Sequence, residues 1–225
     1  MIPLRDTIPS RHWPFMTCLI ILANLLVFLY QQGLGSMAYR LLNLEYGLVP
    51  LRLFQNGTNG FPSVIPFFSH LFLHAGWMHL IGNMWALWLF GDNIEDRMGP
   101  LRFLLFYISV GVIAGIVHIY SDPSLPIPTI GASGAVAGVM GAYFILHPSS
   151  RIVTLVPLFF IPLLIEIPAV IYLAFWLLSQ VYSVFVNRQL GTVSNIAWSA
   201  HIGGFIAGMF IHRFFFRHKQ VRYRF

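Results

Sequence analysis

Long apolar runs, separated by short polar or proline- and glycine-rich breaks, organise this chain. Runs of about 18 or more apolar residues match the thickness of a bilayer core. Read against the breakers, they predict six spans at about 16–32, 67–90, 101–120, 130–147, 167–186 and 195–216. The expected fold class is an all-α polytopic membrane protein forming one domain over residues 1–225. The first run starts near Phe15 and ends in Gln31-Gln32-Gly33 with no small-residue cleavage site, which predicts a retained span and not a signal peptide. The difficult region is 152–186, an apolar run broken by Pro157, Pro162, Glu166 and Pro168 that can hold one span or two.

Charge decides between those counts. With one span there, both termini lie on the same side. Arg5, Arg11, Arg97, Arg102, Arg151, Arg213, Arg217, Lys219, Arg222 and Arg224 then fall inside, and only Arg40, Arg52 and Arg188 fall outside. The positive-inside rule expects that asymmetry, so the predicted topology is N-in and C-in. Residues 152–165 are then expected at the cytoplasmic interface, with Pro168 near the start of span five.

Composition agrees: 57% of residues are hydrophobic and 9% charged, against about 25% charged in soluble domains. The net charge of +6 points to no nucleic-acid partner, because its basic, aromatic tail RFFFRHKQVRYRF suits lipid headgroups. Cys18 is the sole cysteine, so no intrachain disulfide is possible. The segment 33–66 is too long for a plain connection and is partly apolar (LLNLEYGLVPLRLF), as expected of a loop lying against the outer leaflet. Residues 121–129, with three prolines, are expected to be non-helical. The compact core without a targeting extension suggests a bacterial-type plasma membrane location.

Topology then sets depth. Spans two, four and six all run from outside to inside and carry their unusual polar residues early. Span two carries His70, His74, His79 and Asn83, span four carries Ser133, and span six carries His201. Polar groups at membrane depth face the bundle interior or a water-filled cavity, and three sets at matched depth suggest one site. Gly134 and Gly138 form a GxxxG pair in span four, and Gly204 and Gly208 form another in span six. Such pairs let helix backbones approach closely, which would bring Ser133 and His201 within reach. An imidazole can activate a serine hydroxyl by taking its proton. The acidic residues Asp6, Glu45, Asp92, Glu95, Asp96, Asp122 and Glu166 offer no obvious third member, favouring a dyad over a triad. Ser133 lies near its helix start, where free N–H groups and the helix dipole favour an oxyanion. His79 and Asn83, spaced i,i+4, share a helix face and can both donate to it.

The segments HLFLHAGWMHLIGNMWALWLFGDNIEDRMG (70–99), GASG (131–134) and AHIGGFIAG (200–208) together resemble the rhomboid intramembrane serine proteases. The resemblance implies a six-helix rhomboid-like bundle that cleaves transmembrane protein substrates within the lipid, without a cofactor or metal. It implies Ser133 as nucleophile, His201 as general base, and His79 and Asn83 as oxyanion donors. Gly131 would keep the active-site turn open, and His74 would support the first loop and the site. Segment 33–66 is similar to the family's membrane-embedded first loop. Residues 187–198 are similar to its flexible capping loop, with substrate passing between spans two and five. Glu95 and Arg97 match the polar turn after span two. One position departs: some relatives carry a tyrosine four residues after the serine, where this chain has Ala137. Orientation of His201 then falls to another group, Trp198 or a span-two residue.

Other chemistries fit less well. His70 and His74 have i,i+4 ligand spacing, but Ala75 follows His74, so the HExxH pattern of metalloproteases is missing. No aspartate lies within a span for an aspartyl mechanism. A transporter would need more charge in its spans, and the proximity of Glu166 to Arg151 favours a structural role for that carboxylate. A non-proteolytic rhomboid-like protein that binds transmembrane clients is the remaining alternative. Loss of the serine or histidine would mark it, and both are present.

Overall fold

The computed structural model describes residues 2–55, 64–158, 161–191, 194 and 196–216. In chain order it contains strand β1 (Ile2–Asp6) and helices α1 (Phe15–Gln32), α2 (Ser36–Tyr46), α3 (Pro50–Gln55) and α4 (Pro66–Ser69). After a 3₁₀ turn at His70–Phe72 come α5 (Trp77–Met98), α6 (Pro100–Ser121) and α7 (Ser133–Leu146). Strands β2 (Arg151–Leu158) and β3 (Ile161–Pro168) precede α8 (Ala169–Leu190) and α9 (Trp198–Ile211), and a 3₁₀ turn follows at His212–Phe215. The tail cations Arg217, Lys219, Arg222 and Arg224 lie outside the described residues, as do parts of the 33–66 and 187–198 loops.

Among the described residues three helices, α1, α6 and α8, are long and apolar enough to cross a bilayer. Helices α7 and α9 are apolar but only 14 residues each. At 1.5 Å per residue that is about 21 Å, short of a core about 30 Å thick. They form the centre of the bundle: Gly134 to Tyr143 of α7 are all buried. Helix α5 ends in a polar stretch, and its Glu95 accepts from the Met16 and Thr17 amides and the Thr17 hydroxyl, each at 2.8 Å. These orphan donors at the start of α1 thereby gain an anionic partner. Gly99 (φ 81°) turns the chain from α5 into α6, a left-handed backbone that a side chain would oppose.

The two glycine pairs meet face to face. A Cβ on Gly204 would stand 2.0 Å from the Gly134 carbonyl oxygen, and one on Gly208 would stand 1.9 Å from that of Gly138. Only hydrogen side chains permit such an approach, and in lipid close van der Waals contact is what drives helix association.

Two sequence expectations are corrected. The fold is mostly helical but not all-α: β1, β2 and β3 form an antiparallel sheet in that order. Hairpin β2–β3 covers the segment expected merely to lie at the interface, pairing Arg151 with Pro168 and Pro157 with Pro162. Its β-branched residues (Ile152, Val153, Thr154, Val156, Ile165, Ile167) suit a strand, while Pro157 and Pro162 forbid a helix. Glu166 lies 3.7 Å from Arg151 across that hairpin, with both side chains more than half exposed. The second correction concerns span two. Its helix begins at Trp77, after an extended Leu73, so His70 and His74 precede it and do not lie on it.

Segment 33–66 contains α2 and α3, and an isolated bridge joins Leu48 to Thr129. Asp122 to Thr129 are non-helical, as their prolines dictate.

Candidate active site

Ser133 is the first residue of α7, with Ala132 as its N-cap. The preceding Gly131 has φ 129°, and a Cβ there would collide with the His79 ring, 2.7 Å from both Cε1 and Nε2. Glycine is thus required twice over, by backbone conformation and by the imidazole lying against it. The Gly131 amide donates to the His70 carbonyl at 2.9 Å, which ties the turn to the segment before α5.

The packing of α7 on α9 has a direct geometric consequence. Ser133 Oγ lies 2.8 Å from His201 Nε2, and His201 is 9% exposed. The first turn of α9 is held to α6 by Ser199, whose hydroxyl lies 2.8 Å from His118 Nδ1 and accepts from Ser121 Oγ at 2.7 Å. The helix carrying His201 is therefore fixed where the pair sits.

Helix α5 supplies the facing side. The His79 and His74 rings meet edge to face at 5.1 Å between centroids. The Asn83 amide donates to His74 Nε2 at 3.1 Å, which uses one of its two N–H groups. Its nitrogen is also 3.7 Å from the place a Gly131 Cβ would occupy, which sets the amide beside the turn. The His74 amide donates to Gln31 Oε1 at 3.0 Å, and Gln31 donates to Asn43 Oδ1 at 3.0 Å. This relay joins the end of α1, helix α2 and the site through His74.

An open cleft of about 970 Å³ is lined by His79 and Asn83 of α5, Ser133 of α7, Trp176 and Gln180 of α8, and His201 of α9. Among the described residues no three His, Cys, Asp or Glu side chains converge as metal ligands. His70 Nδ1 is occupied by a donated bond to the Pro66 carbonyl at 2.7 Å.

The orientation of His201 differs from the expectation. Trp198 does meet the imidazole edge-on, with centroids 5.9 Å apart, while its indole N–H donates to Ser194. The group at His201 Nδ1, however, is Gln180 Oε1 at 2.8 Å, on α8 and not on span two. Trp176, one turn earlier on α8, lies over the ring at 5.9 Å and 31°. Gln180 was missed in the sequence, although a lone amide inside an apolar span is itself a signal of an interior polar contact.

Comparison with known proteins gives the lineage. The rhomboid domain matches residues 62–218. The chain is 35% identical over 139 residues to rhomboid protease GluP of Bacillus subtilis, covering 61% of this chain and 23% of that protein. It is 28% identical over 143 residues to RHOMBOID-like protein 5 of Arabidopsis thaliana, covering 64% of this chain and 41% of that protein. With the chloroplastic rhomboid-like protein 11 of the same plant it shares 36% over 93 residues, or 41% of this chain and 31% of the relative. The chain thus spans less than half the length of each of these relatives. From its matched domain and its apolar helices, this multi-pass membrane protein belongs to the rhomboid family.

Proposed function

We propose that the protein is an intramembrane serine endopeptidase that cleaves peptide bonds in or near the transmembrane segments of other membrane proteins. The observation that carries this reading is the 2.8 Å separation of Ser133 Oγ and His201 Nε2 in a cleft at the start of α7. Membership of a family that includes the named protease GluP supports it at the level of reaction class. In this reading α1, α5, α6 and α8, together with the short central helices α7 and α9 and the residues flanking them, make six spans with both termini inside, in a bacterial-type plasma membrane, and residues 1–225 act as one domain.

The chemistry follows from the geometry. Ser133 Oγ attacks the scissile carbonyl carbon as its proton passes to His201 Nε2. The oxyanion forms at the start of α7, where the first helix amides, His79 and the second Asn83 N–H can donate to it. The carbon–nitrogen bond breaks as His201 returns the proton to the leaving amine, and an acyl-enzyme remains. Water then attacks the ester and gives a proton to His201, which returns it to Ser133 as the new carboxyl end departs. The cleft, lined by both apolar and polar groups, admits that water from one side of the bundle.

The test is cleavage of a single-span substrate co-reconstituted in liposomes with the wild type, Ser133→Ala and His201→Ala. Cleavage that both variants lose supports the reading. Cleavage that both retain sinks it. Sensitivity to a chelator would favour a metal mechanism, and a wild type that binds the substrate but leaves it whole would favour a client-binding role.

A further inference from the structure

Helix α8 is the loosest of the long helices, burying only Ala169, Leu173 and Gln180, while Phe175, Leu178 and Tyr182 point outward. Of the three buried side chains Gln180 alone is polar, and it is 5% exposed. An amide in such a place needs partners for both ends. Its nitrogen has two: Nε2 donates to the Trp176 carbonyl at 3.0 Å and to Ser179 Oγ at 2.8 Å. Those donations fix which way the amide faces, and leave Oε1 directed at His201 Nδ1, 2.8 Å away.

A carbonyl oxygen accepts and never donates, so the bond requires the proton of a neutral His201 to sit on Nδ1. Nε2 then bears the lone pair, facing Ser133 Oγ at 2.8 Å. That is the form able to take a serine proton. The opposite tautomer would set the Nδ1 lone pair against those of Oε1 and turn an N–H toward the hydroxyl it should deprotonate. When Nε2 gains its proton, the same carbonyl dipole faces an imidazolium and stabilises it. A carboxylate fills this place in serine triads, and here a neutral amide occupies it.

We propose that Gln180 is the positioning residue of the dyad, holding His201 in its Nδ1–H tautomer, so that Ser133 is activated only while α8 is docked against α9. The inference rests on the serine-protease reading above. It adds a control point to it: because the acceptor stands on α8, movement of that helix away from α9 removes the bond and disarms the base. A mere structural amide would serve packing equally well as an apolar residue of the same size, and that difference is measurable.

The experiment compares wild type, Gln180→Leu, Gln180→Glu and Ser133→Ala in liposomes, recording kcat and KM for a single-span substrate and the rate of fluorophosphonate labelling. Thermal unfolding controls for folding. Selectively ¹⁵N-histidine-labelled protein reports the tautomer, with the His201 signal assigned by its loss in His201→Ala. Leucine keeps the bulk and removes the acceptor, so kcat is expected to fall about 10- to 100-fold with KM within about twofold. Glutamate keeps an acceptor in either protonation state, and is expected to restore kcat to within about fivefold of wild type. The spectrum should show Nδ1 protonated in the wild type and a mixture in Gln180→Leu. Wild-type kcat and an unchanged spectrum in Gln180→Leu would overturn the proposal, as would a folded Gln180→Glu as impaired as the leucine variant. If Gln180→Leu does not fold, the glutamate rescue and the wild-type tautomer decide. Absence of cleavage and labelling in the wild type would instead defeat the protease reading. The ¹⁵N spectrum needs no activity and would still test the Gln180 contact.

Discussion

Replacing Gly204 by alanine perturbs the site without touching any group that reacts. The added Cβ would stand 2.0 Å from the Gly134 carbonyl oxygen, and 3.3 Å from the Ala114 Cβ. Carbon and carbonyl oxygen approach to about 3.3 Å in favourable contacts, so α7 and α9 must part by roughly an ångström. Neither helix can yield locally, because the obstacle is backbone and the same interface closes again at Gly138 and Gly208. The separation acts directly on the dyad, since α7 carries Ser133 and α9 carries His201. A 2.8 Å contact lengthened by roughly an ångström leaves hydrogen-bond range. Overpacking of this kind costs about 1–3 kcal/mol of stability, and misplacement of a reacting group by about 1 Å costs about 100-fold in rate. The assay is kcat/KM on a single-span substrate in liposomes, beside the thermal unfolding midpoint. Gly204→Ala is expected to lose about 100-fold in kcat/KM and to unfold at lower temperature. Gly35→Ala, where nothing lies within 4 Å of the new Cβ, is the control and should behave as wild type. A Gly204→Ala protein that cleaves within threefold of wild type would refute the link between glycine packing and the Ser133–His201 distance.

Three further outcomes are expected. Gly131→Ala forces a side chain onto a backbone with φ 129° and into the His79 ring, so cleavage should fall by about 100-fold or more, read with the same substrate assay. Glu95→Ala strips three bonds from the start of α1 at a site 3% exposed, and chemical unfolding should show a loss of about 2–4 kcal/mol. Burial pushes the Asp6 carboxyl above its ordinary 3.8, against the opposing bond from Tyr143. The folded chain then holds a proton that the unfolded chain has released. The stability of β1 docking is therefore full below pH 3.8 and is lost as pH rises through the higher folded value. Hydrogen exchange of the β1 amides should show protection falling over that range, and Asp6→Asn should remove the dependence.

The parts of the site visible in the sequence are those encoded by local spacing. The glycines at 134, 138, 204 and 208 announce a close helix pair, and Ser133 and His201 sit at fixed offsets from them. Helix boundaries were legible where proline or glycine marks them, as at Gly99-Pro100, and misread before Trp77, where an apolar 3₁₀ turn carries the same hydropathy as helix. The sheet was hidden for another reason. Ile2 pairs with Leu155, and no local pattern connects strands so far apart in the chain. Hydropathy also treats a β-branched hairpin and a membrane span alike. Gln180 is a case of the same kind: its partner lies on another helix, and the face that α8 turns inward follows from packing, not from its own nearly uniform apolarity.

The most direct test of the central claim is to label the purified protein with a fluorophosphonate and locate the adduct by peptide mass spectrometry. A single adduct on Ser133 is expected, absent in Ser133→Ala and formed at least about 100-fold more slowly in His201→Ala. An adduct on another residue, or labelling of Ser133 at an unchanged rate without His201, would contradict the dyad.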